Sequence, residues 1–381
     1  MKEISFSELS KYDKGTYVLI DIRDEDLRSY GMIPGAVAAD TDAGSEEMNK
    51  TICRIPQDRK IVFYCEVGRR TREFEESDFP AGRDYYSLEG GYTGYVRSKM
   101  TDDGDNAQKQ HKAEESIRKK YHKQLFTPFA KACKTYKLIE EGDRIAVCIS
   151  GGKDSMLMAK LFQEIQRHRQ CNFELVFLVM DPGYNKDNRA LIESNARALG
   201  IPVTVFESDI FDAVDTIEKS PCYICARMRR GYLYSKAKEL GCNKIALGHH
   251  YDDVIETILM GMLHGGQIQT MMPKLHSTNF EGMELIRPLY FIREADICAW
   301  RDYNDLHFLQ CACHFTDTCT TCHEDGTTSS KRLETKKLIA ALKKDNPYIE
   351  SNIFNSVGNV NVNTVIAYKK DGVRHHFLDE Y

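Results

Sequence analysis

Short apolar runs rich in β-branched and aromatic residues recur along this chain, and each run ends at polar or glycine residues. Two lie near the start, TYVLIDIR (16–23) and KIVFYC (60–65), and a later series consists of DRIAVCIS (143–150), ELVFLVMD (174–181) and KIALGHH (244–250). Helix-like stretches fill the intervals between these runs. Strands that alternate with helices form parallel sheets covered on both faces, so the sequence predicts an α/β fold.

A polar segment, TDDGDNAQKQHKAEESIRKK (101–120), separates the two series of strands. Its first residues offer few apolar side chains for a core, which indicates a linker near residues 100–108 that runs into a charged helix. The chain has 381 residues, which is enough for two buried cores. We therefore predict a first α/β domain over residues 1–104 and a second, also with a parallel sheet, over residues 105–381.

The bulk properties exclude some classes of protein. A net charge of −5 argues against a generally cationic nucleic-acid binder, although it is compatible with local basic patches. The longest apolar runs are far too short to cross a bilayer, and the first residues, MKEISFSELS, have no apolar signal-peptide core. We therefore expect a cytoplasmic protein without a membrane partner.

The chain contains 13 cysteines, and in a reducing compartment clustered cysteines indicate a metal site or catalysis rather than disulfides. Six are isolated in mostly apolar surroundings, where we expect small buried hydrophobic residues. These six are Cys53, Cys133, Cys148, Cys171, Cys242 and Cys298. The other seven lie in or near motifs: Cys65, Cys222, Cys225, Cys311, Cys313, Cys319 and Cys322.

The first motif is CEVGRRT (65–71), which follows a predicted strand and precedes a helix-like stretch. Successive backbone N–H groups and a helix N-terminus then point at the sulfur of Cys65 and stabilise an anion there, and Arg70 adds a fixed positive charge. Four residues separate Cys65 from Arg70, whereas the similar loop of cysteine phosphatases has five and is wide enough for phosphate. The shorter loop favours a smaller group on the sulfur.

This loop resembles that of the rhodanese sulfurtransferases. LIDIRDEDLRSYGMIPGA (19–36) is similar to the rhodanese pattern Asp-x-Arg…Gly-His-Ile-Pro-Gly-Ala, with Met32 in place of the histidine. LEGGYTGY (88–95) resembles the closing Gly-Gly segment, with Tyr95 where tryptophan is common. The resemblance implies a rhodanese-like domain that carries sulfur as a persulfide on Cys65; a degenerate docking domain is the other interpretation.

The second motif is VCISGGKDSM (147–156), which has the form of a strand, a glycine turn and a helix. The two glycines let the backbone approach a phosphate, and the helix N-terminus, a lysine and a serine bind the anion. The motif resembles the loop of the PP-loop ATPases, which cleave ATP between the α and β phosphates and adenylate an oxygen of their substrate. The resemblance implies ATP binding by Ser150, Gly151, Gly152, Lys153, Asp154 and Ser155, with Asp154 also catalytic.

Another polar segment, LGHHYDDVIET (247–257), follows a strand and therefore lies at the sheet edge where ligands bind in open α/β folds. Carboxylates there suit Mg²⁺ on the triphosphate, so we assign His249 and Asp253 to the ATP site. Asp181 ends a strand on the same edge. We expect it to border the adenine, although an aspartate before Pro-Gly also suits a simple turn.

SPCYICARMRRG (220–231) contains two cysteines three residues apart, after a serine and a proline that suit the N-cap and first position of a helix. Cys222 and Cys225 then share one face of that helix. Two thiolates cannot complete a four-coordinate metal site, but QCACHFTDTCTTCHED (310–325) offers partners. The residues alone leave zinc and an iron–sulfur cluster open.

The motifs from KLIEEGDRIAVCISGGKDS (137–155) to IRPLYFIREADI (286–297) occur in an order that resembles the tRNA 2-thiocytidine synthases. In that family three cysteines hold a 4Fe–4S cluster and leave one iron open. The ligands implied here are Cys222, Cys225 and Cys311, with Cys313 as the alternative third ligand.

Two further groups follow from the same region. Cys319 and Cys322 are additional to the family pattern and suit a zinc ion, a sulfur relay or a structural role in a loop. The arginines after the Cys-x-x-Cys either form a solvated helix face or bind RNA phosphates beside the active site. These are Arg227, Arg229 and Arg230.

Together the resemblances imply an ATP-dependent tRNA sulfurtransferase. ATP would adenylate the C2 oxygen of a cytidine, expected to be cytidine 32 of the anticodon loop, and sulfur inserted through the cluster would give 2-thiocytidine. The fused rhodanese-like domain would supply that sulfur from Cys65, loaded by a cysteine desulfurase or by thiosulfate. We expect a homodimer. The same chemistry on a uridine or a small molecule, and a nucleotide-binding persulfide or redox sensor, are alternatives.

Overall fold

The computed structural model describes the chain in several stretches. These are residues 1–29, 31–39, 43–98, 106–184, 186–208, 210, 221–308 and 331–380, with the backbone alone at residues 26, 29, 221–226 and 380. The strands are β1 (Lys2–Ile4), β2 (Tyr17–Asp21), β3 (Val37–Ala38), β4 (Lys60–Tyr64), β5 (Tyr85–Leu88), β6 (Arg144–Ile149), β7 (Glu174–Asp181), β8 (Val203–Glu207), β9 (Lys244–Ala246), β10 (Lys274–His276), β11 (Glu284–Ile286), β12 (Ala367–Lys370) and β13 (Val373–His376).

Helices fill the intervals. They are α1 (Phe6–Leu9), α2 (Glu25–Ser29), α3 (Glu46–Cys53), α4 (Arg69–Arg72), α5 (Gly91–Ser98), α6 (Asn106–Arg118), α7 (Thr127–Thr135), α8 (Lys153–Arg167), α9 (Lys186–Ala198), α10 (Pro221–Glu239), α11 (Tyr251–Gly265), α12 (Glu294–Tyr303), α13 (Lys331–Asp345) and α14 (Ile349–Ser356). In the part of the chain that is described, no helix has the length and apolarity needed to cross a bilayer.

The first five strands form a parallel sheet in the order β1-β5-β4-β2-β3. Its central strand, β4, is buried from its second residue onward. Aromatic rings fill the core on one side, where Phe63 stacks on Phe79 with ring centroids 4.8 Å apart. The two apolar runs near the start of the chain correspond to β2 and β4, which confirms the α/β prediction for this region.

The second sheet has the order β10-β11-β9-β6-β7-β8 and is parallel except that β10 runs antiparallel to β11. The central strand, β6, has the sequence RIAVCI, and all but its first residue are buried. Such a continuous apolar strand is stable only where both faces of the sheet are covered. The three later apolar runs correspond to β6, β7 and β9, so the second α/β prediction is also confirmed.

The described residues of 1–250 and 273–326 make one compact unit that contains both large sheets, and those of 251–272 and 327–381 make a second. The second unit contains α11, α13 and α14 and the antiparallel pair β12–β13. Tyr251 stacks on Phe354 within this unit, with ring centroids 4.4 Å apart. The boundary predicted near residue 104 falls outside the described residues and stays a prediction.

The charged helix predicted after the linker is α6. Its polar face forms ion pairs, such as that between Glu114 Oε1 and the buried Lys160 Nζ at 2.9 Å. On another face the hydroxyl of Ser116 accepts a hydrogen bond of 3.1 Å from the indole N–H of Trp300. This helix therefore packs against both α8 and α12 through satisfied polar groups.

A buried lysine secures the beginning of the second sheet. Lys244 in β9 is 2% exposed, and its Nζ lies 2.6 Å from Asp143 Oδ2 and 3.0 Å from Glu140 Oε2. A charge taken out of water is tolerated only when it is paired, and removal of one partner leaves the others uncompensated. Hydrogen bonds from Lys274 and Lys244 lower the pKa of Glu140 to about 2.

We predict that Lys244→Met lowers the free energy of unfolding by about 3 kcal/mol, because buried carboxylates lose their cation. Urea unfolding followed by fluorescence of the single tryptophan, Trp300, measures this. Lys274→Met is the matched control, since Lys274 contacts Glu140 from a more exposed position and should cost only about 0.5 kcal/mol. Equal losses for both variants would contradict the account.

The same network gives a pH dependence. Because the pKa of Glu140 is below its ordinary value of 4.5, its ion pairs stabilise the fold above pH 4.5 and are lost as the pH falls towards about 2. The difference in stability between the parent and Lys244→Met should therefore shrink over that range. A difference that stays constant would show that this carboxylate makes no contribution.

Candidate active site

Three polar segments leave the second sheet at one edge. β6 lies between β7 and β9, and the three strands are parallel, with Val147 opposite both Phe177 and Ala246. The glycine turn after β6, Asp181 at the end of β7 and the segment after β9 therefore lie at the same carboxyl edge. This is the edge at which open α/β sheets bind ligands.

The turn after β6 requires glycine at its first position. Gly151 has φ +86°, a left-handed conformation, and a Cβ there would lie 2.5 Å from Cγ1 of Ile192. Gly152 is the N-cap of α8 in an extended conformation and provides no side-chain cap. The first N–H groups of the helix therefore face the turn, which gives a cradle for an anion.

Two serines fix the shape of this cradle. Ser155 Oγ lies 3.2 Å from both the backbone nitrogen and the Oγ of Ser150, and it donates a hydrogen bond of 3.0 Å to the carbonyl of Gly152. On the other side, a Cβ at Gly248 would lie 3.2 Å from the nitrogen of Ser155. The segment after β9 therefore approaches the helix N-terminus as closely as a glycine allows.

Lys153 and Asp154 form the charged part of the cradle. Lys153 is buried, and its Nζ lies 3.3 Å from Asp154 Oδ2 and 3.2 Å from Glu294 Oε1. Asp154 Oδ1 is buried without a hydrogen bond from any described residue, and His250 Nε2 lies 4.0 Å from it. The N–H groups at the start of α8 fit a phosphate, and this carboxylate oxygen fits a cation bound to that phosphate.

Asp181 has a local role in the structure. Its Oδ1 accepts hydrogen bonds from the backbone N–H groups of Gly183 at 2.9 Å and Tyr184 at 2.7 Å. Its Oδ2 lies 3.3 Å from Nη1 of Arg189. This arrangement is the turn that the Asp-Pro-Gly sequence also suggested. A role for Asp181 at the adenine stays a prediction.

Asp253 lies in the second compact unit, in the first turn of α11. Its Oδ1 is 2.6 Å from Nη1 of Arg332, which also lies 3.1 Å from Glu256 Oε2. Arg332 therefore serves as an ion-pair partner within this unit. His249 follows β9 in the first unit, and its assignment to the ATP site, like that of Asp253, stays a prediction.

The loop that begins at Cys65 lies at the carboxyl end of β4 and leads into α4. Gly68 has φ +80°, and the backbone N–H of Tyr92 donates a hydrogen bond of 2.9 Å to the carbonyl of Cys65. A Cβ at Gly91 would overlap that carbonyl oxygen and lie 2.6 Å from the nitrogen of Gly68. Gly91 of the closing Gly-Gly segment therefore has no room for a side chain, because its backbone packs directly on the cysteine loop.

A buried network of charged and polar groups supports the cysteine loop. Arg23 pairs with Asp21 through Nε–Oδ1 at 3.0 Å and Nη2–Oδ2 at 2.7 Å, and its Nη1 lies 3.1 Å from Glu66 Oε2. Tyr64 donates a hydrogen bond of 2.7 Å to the same Asp21. Burial raises the pKa of Glu66, and the charge of Arg23 opposes that rise. Asp21 and Arg23 of the Asp-x-Arg sequence thus hold Glu66, the residue after Cys65, in place.

The side chain of Cys65 is buried, with its Sγ 4.0 Å from Oγ1 of Thr71. Thr71 Oγ1 lies 2.7 Å from Oγ of Ser87 in β5. Arg70 lies in α4 on the exposed side of the loop. The roles of Cys65 and Arg70 in sulfur transfer stay predictions.

The cysteine-rich site falls outside the part of the chain that the structure describes. Helix α10 begins at Pro221, as predicted, but the side chains of Cys222 and Cys225 are not described. The later cysteines also lie outside the described residues: Cys311, Cys313, Cys319 and Cys322. Among the described residues, no group of three metal-binding side chains occurs.

The arginines after the Cys-x-x-Cys divide into two kinds. Nη2 of Arg229 donates a hydrogen bond of 2.9 Å to the hydroxyl of Tyr184, so this arginine has a partner within the protein. Arg227 and Arg230 are exposed on α10. RNA binding by the three stays a prediction.

The six isolated cysteines do not share one environment. Cys133, Cys148 and Cys242 are buried, as predicted. The prediction is wrong for Cys53, which is exposed at the end of α3, and for Cys171 and Cys298, which are partly exposed. Local apolar neighbours in sequence do not determine which side of a helix end or a turn faces solvent.

Sequence reasoning missed two partners of the site residues. Glu294 pairs with Lys153, and Arg23 pairs with Glu66 beside Cys65. Both residues lie in segments that resemble family motifs, but the sequence did not predict these pairs. The available signal was their charge within otherwise apolar motifs, IRPLYFIREADI and LIDIR. Charged residues in such surroundings usually have a buried partner.

Two family models and several known proteins match parts of this chain. Residues 115–313 match the model of the PP-loop domain family, and residues 7–98 match that of the rhodanese-like domain. A solved structure of the U34-tRNA thiolase NcsA from Methanococcus maripaludis, with its [4Fe–4S] cluster, has 23% identity and a TM-score of 0.47 and covers 61% of this chain and 76% of its own.

Two curated relatives are tRNA-cytidine(32) 2-sulfurtransferases. The protein from Syntrophotalea carbinolica is 36% identical over 233 residues, which are 60% of this chain and 86% of that protein. The protein from Geobacter sulfurreducens is 34% identical over 242 residues, which are 63% of this chain and 90% of that protein. The chain therefore belongs to the family of PP-loop proteins that includes the tRNA-cytidine(32) 2-sulfurtransferases, and it carries a rhodanese-like domain ahead of its PP-loop domain.

Proposed function

We propose that this chain is an ATP-dependent tRNA sulfurtransferase that replaces the C2 oxygen of cytidine 32 with sulfur. The observation that carries the proposal is the anion cradle at Ser150–Ser155, with its open helix N-terminus and buried Lys153, in a chain related to enzymes of that name. The cradle by itself supports only nucleotide binding. The relationship to the tRNA sulfurtransferases adds the substrate and the reaction.

In the proposed reaction, the C2 oxygen of the cytidine attacks the α-phosphorus of ATP and pyrophosphate leaves. The N–H groups at the start of α8 hold the phosphates, and Lys153 provides positive charge where the leaving group develops negative charge. Glu294 holds this lysine in place at 3.2 Å. A sulfur nucleophile then adds at C2, and AMP departs with the original oxygen.

A divalent cation has a candidate ligand in the cradle. Asp154 Oδ1 is buried next to the loop and accepts no hydrogen bond from a described residue. Mg²⁺ takes carboxylate and phosphate oxygens as ligands, so we assign Asp154 to a magnesium ion shared with the triphosphate. We also assign Asp253 and His249 to the ATP site, as further polar groups.

The cluster site is proposed from the resemblance to the tRNA 2-thiocytidine synthases. Cys222, Cys225 and either Cys311 or Cys313 provide three thiolates, which suit a 4Fe–4S cluster. Held by three thiolates, such a cluster has one iron without a protein ligand, where a sulfur atom can bind. For the additional pair, Cys319 and Cys322, we propose zinc binding. A sulfur relay or a structural role in the loop are the other uses of this pair.

The rhodanese-like domain is proposed as the donor of sulfur. The loop from Cys65 to Arg70 is short, and Gly91 and the Arg23–Glu66 pair fix its backbone. A cysteine desulfurase or thiosulfate would load Cys65 as a persulfide, and a thiol reductant would supply the two electrons that release its outer sulfur as sulfide. Attachment to the same chain raises the local concentration of this donor. A cytoplasmic location and a homodimer are further parts of the proposal.

Two other functions remain in competition. The same adenylation and thiolation on a uridine or a small molecule would use the same residues, and nucleoside analysis of tRNA from a deletion strain distinguishes it. Loss of 2-thiocytidine supports the proposal, and an unchanged level contradicts it. A persulfide or redox sensor that binds nucleotide would convert no ATP to AMP in the presence of tRNA.

The cradle gives the first prediction of function. Gly151→Ala should lower the rate of AMP formation with tRNA by about 100-fold, because the new Cβ meets Ile192 and displaces the phosphate-binding N–H groups. Gly142→Ala is the matched control, since Gly142 also has positive φ, at +80°, but no neighbour within 4 Å of the added Cβ. A loss of activity in the control as large as that in Gly151→Ala would contradict this explanation.

The cluster gives the second prediction. After anaerobic purification, Cys222→Ala and Cys225→Ala should lose the brown colour, the iron and the acid-labile sulfide, because each removes a ligand. Of Cys311→Ala and Cys313→Ala, one should do the same. Cys319→Ala and Cys322→Ala serve as controls and should keep their iron. Full iron and sulfide content in Cys222→Ala would refute this ligand set.

The donor gives the third prediction. With thiosulfate as the sulfur source, Cys65→Ala should thiolate tRNA more than about tenfold more slowly than the parent, because no persulfide can form at that position. Cys53→Ala, which changes an exposed cysteine of the same domain, should behave like the parent. If Cys65→Ala matches the parent with thiosulfate, the proposed supply of sulfur is wrong.

A further inference from the structure

A stretch without acidic residues lies just ahead of the PP-loop strand. The chain has 57 aspartates and glutamates and a net charge of −5, but residues 116–139 contain none of them. The same residues contain six lysines: Lys119, Lys120, Lys123, Lys131, Lys134 and Lys137. They follow α6 and run through a π-helical segment, His122–Phe126, into α7. Neither the ATP cradle nor the cysteine loop uses this positive charge.

Apolar packing turns most of these lysines towards solvent. Helix α7 buries Phe129, Ala132 and Cys133 and exposes Lys131 and Lys134. The π-helical segment likewise buries its two apolar side chains and exposes its lysine. Such segments are fixed by their apolar side, and their charged side stays in water. Four exposed lysines form what we call the lysine face: Lys120, Lys123, Lys131 and Lys134.

Carboxylates near the lysine face are paired with other cations. Three such pairs are Glu115 with Lys119 at 2.6 Å, Glu164 with Arg118 at 2.8 Å and Asp302 with Arg301 at 2.8 Å.

The charge of the lysine face itself is not neutralised by its surroundings. Among the described residues, none lies within ion-pair distance of the ammonium groups of the face. Its lysines therefore repel one another and attract an anion from solution.

Aromatic rings at the two ends of α12 hold two of these lysines. The Nζ of Lys120 lies 4.6 Å from the centre of the Tyr303 ring, which is 45% exposed, and the Nζ of Lys131 lies 5.2 Å from the centre of the Phe291 ring. Helix α12 has ten residues and is therefore about 15 Å long. A face of that length is too long for one small anion and suits a polyanion.

One end of the lysine face borders the ATP cradle. Phe291, which carries Lys131, precedes Glu294 by three residues, so their backbones are at most about 11 Å apart. The carboxylate of Glu294 in turn pairs with Lys153 of the cradle at 3.2 Å. A polyanion on the lysine face therefore passes close to the site where ATP is expected.

We propose that the lysine face binds the sugar–phosphate backbone of the tRNA substrate beside the ATP cradle. The inference rests on the proposed function of this chain in tRNA thiolation. An acidic protein would also be attracted by the charge, but protein interfaces are depleted in lysine and have an apolar centre. Residues 116–139, all of which the structure describes, expose no large apolar side chain. Unpaired lysines without such a centre suit phosphates.

The test measures how salt changes the affinity of the full chain for tRNA that lacks thiolation. Binding is followed by fluorescence anisotropy at several concentrations of KCl. The triple variant Lys123→Gln, Lys131→Gln, Lys134→Gln should bind at least about tenfold more weakly than the parent at 0.1 M salt. Its slope of log K against log salt should be smaller by about 2, because three lost phosphate contacts release fewer counterions.

The matched control removes the same charge from the rhodanese-like domain. The triple variant Lys11→Gln, Lys14→Gln, Lys50→Gln also changes three exposed lysines, and it should keep the affinity and the slope of the parent. Urea unfolding followed by the fluorescence of Trp300 should give the same stability for both triple variants, since exposed charges contribute little to folding.

A second measurement separates tRNA binding from an effect on the cradle. In the lysine-face variant, KM for tRNA should rise by at least about tenfold, whereas kcat and KM for ATP should stay within about twofold of the parent. This pattern is expected when the lost contacts hold tRNA equally well before and during the reaction. A lower kcat at saturating tRNA, with unchanged affinity for tRNA, would place the effect in the cradle and overturn the inference.

The two levels of the proposal fail in different ways. Absence of tRNA binding by the parent would overturn the proposed function on which the inference rests. If the parent binds and thiolates tRNA but the lysine-face variant keeps the affinity and slope of the parent, the inference is wrong and the proposed function stands. Slower sulfur transfer from a cysteine desulfurase in that variant, with unchanged tRNA binding, would assign the face to a protein partner and also overturn the inference.

Discussion

The parallel pairing of β6 with β7 on one side and β9 on the other is the constraint on which the candidate site depends. Backbone hydrogen bonds set the register, with Val147 opposite both Phe177 and Ala246. The chain therefore leaves all three strands at one edge, and the glycine turn, Asp181 and Gly248 come together there. The chemistry of the site is local, but its assembly rests on this long-range pairing.

Both large sheets share the same local arrangement at the end of a central strand. In each, a central strand ends in a short loop that leads into a helix, and a glycine from a neighbouring strand packs on that loop. Gly91 follows β5 and packs on the Cys65 loop, and Gly248 follows β9 and packs on Ser155. The sequence of the loop determines which group it suits. A loop that begins with cysteine suits sulfur, and the Ser-Gly-Gly-Lys turn suits phosphate.

Much of the fold was predictable because its signals are local. The apolar runs correspond to β2, β4, β6, β7 and β9, and the proline at the start of α10 marked the first residue of that helix. The ion pair of Lys153 with Glu294 was not predictable, since the two residues are 141 positions apart and meet only after the helices pack. The pairing of Asp253 with Arg332 was not predictable for the same reason, since the two residues are far apart in the sequence and meet only in the folded chain. Exposure of single cysteines likewise depends on packing, which is why Cys53 and Cys298 differ from the expectation.

In the proposed reaction, cleavage of ATP drives insertion of sulfur into a cytidine of tRNA. The most direct measurement is the ratio of AMP to 2-thiocytidine formed by anaerobically purified protein with ATP, a sulfur source and tRNA that lacks thiolation. We predict that one AMP appears for each 2-thiocytidine, that the modified base is at position 32, and that both products require ATP and tRNA. Formation of 2-thiocytidine without AMP, or of AMP with no thiolated cytidine, would contradict it.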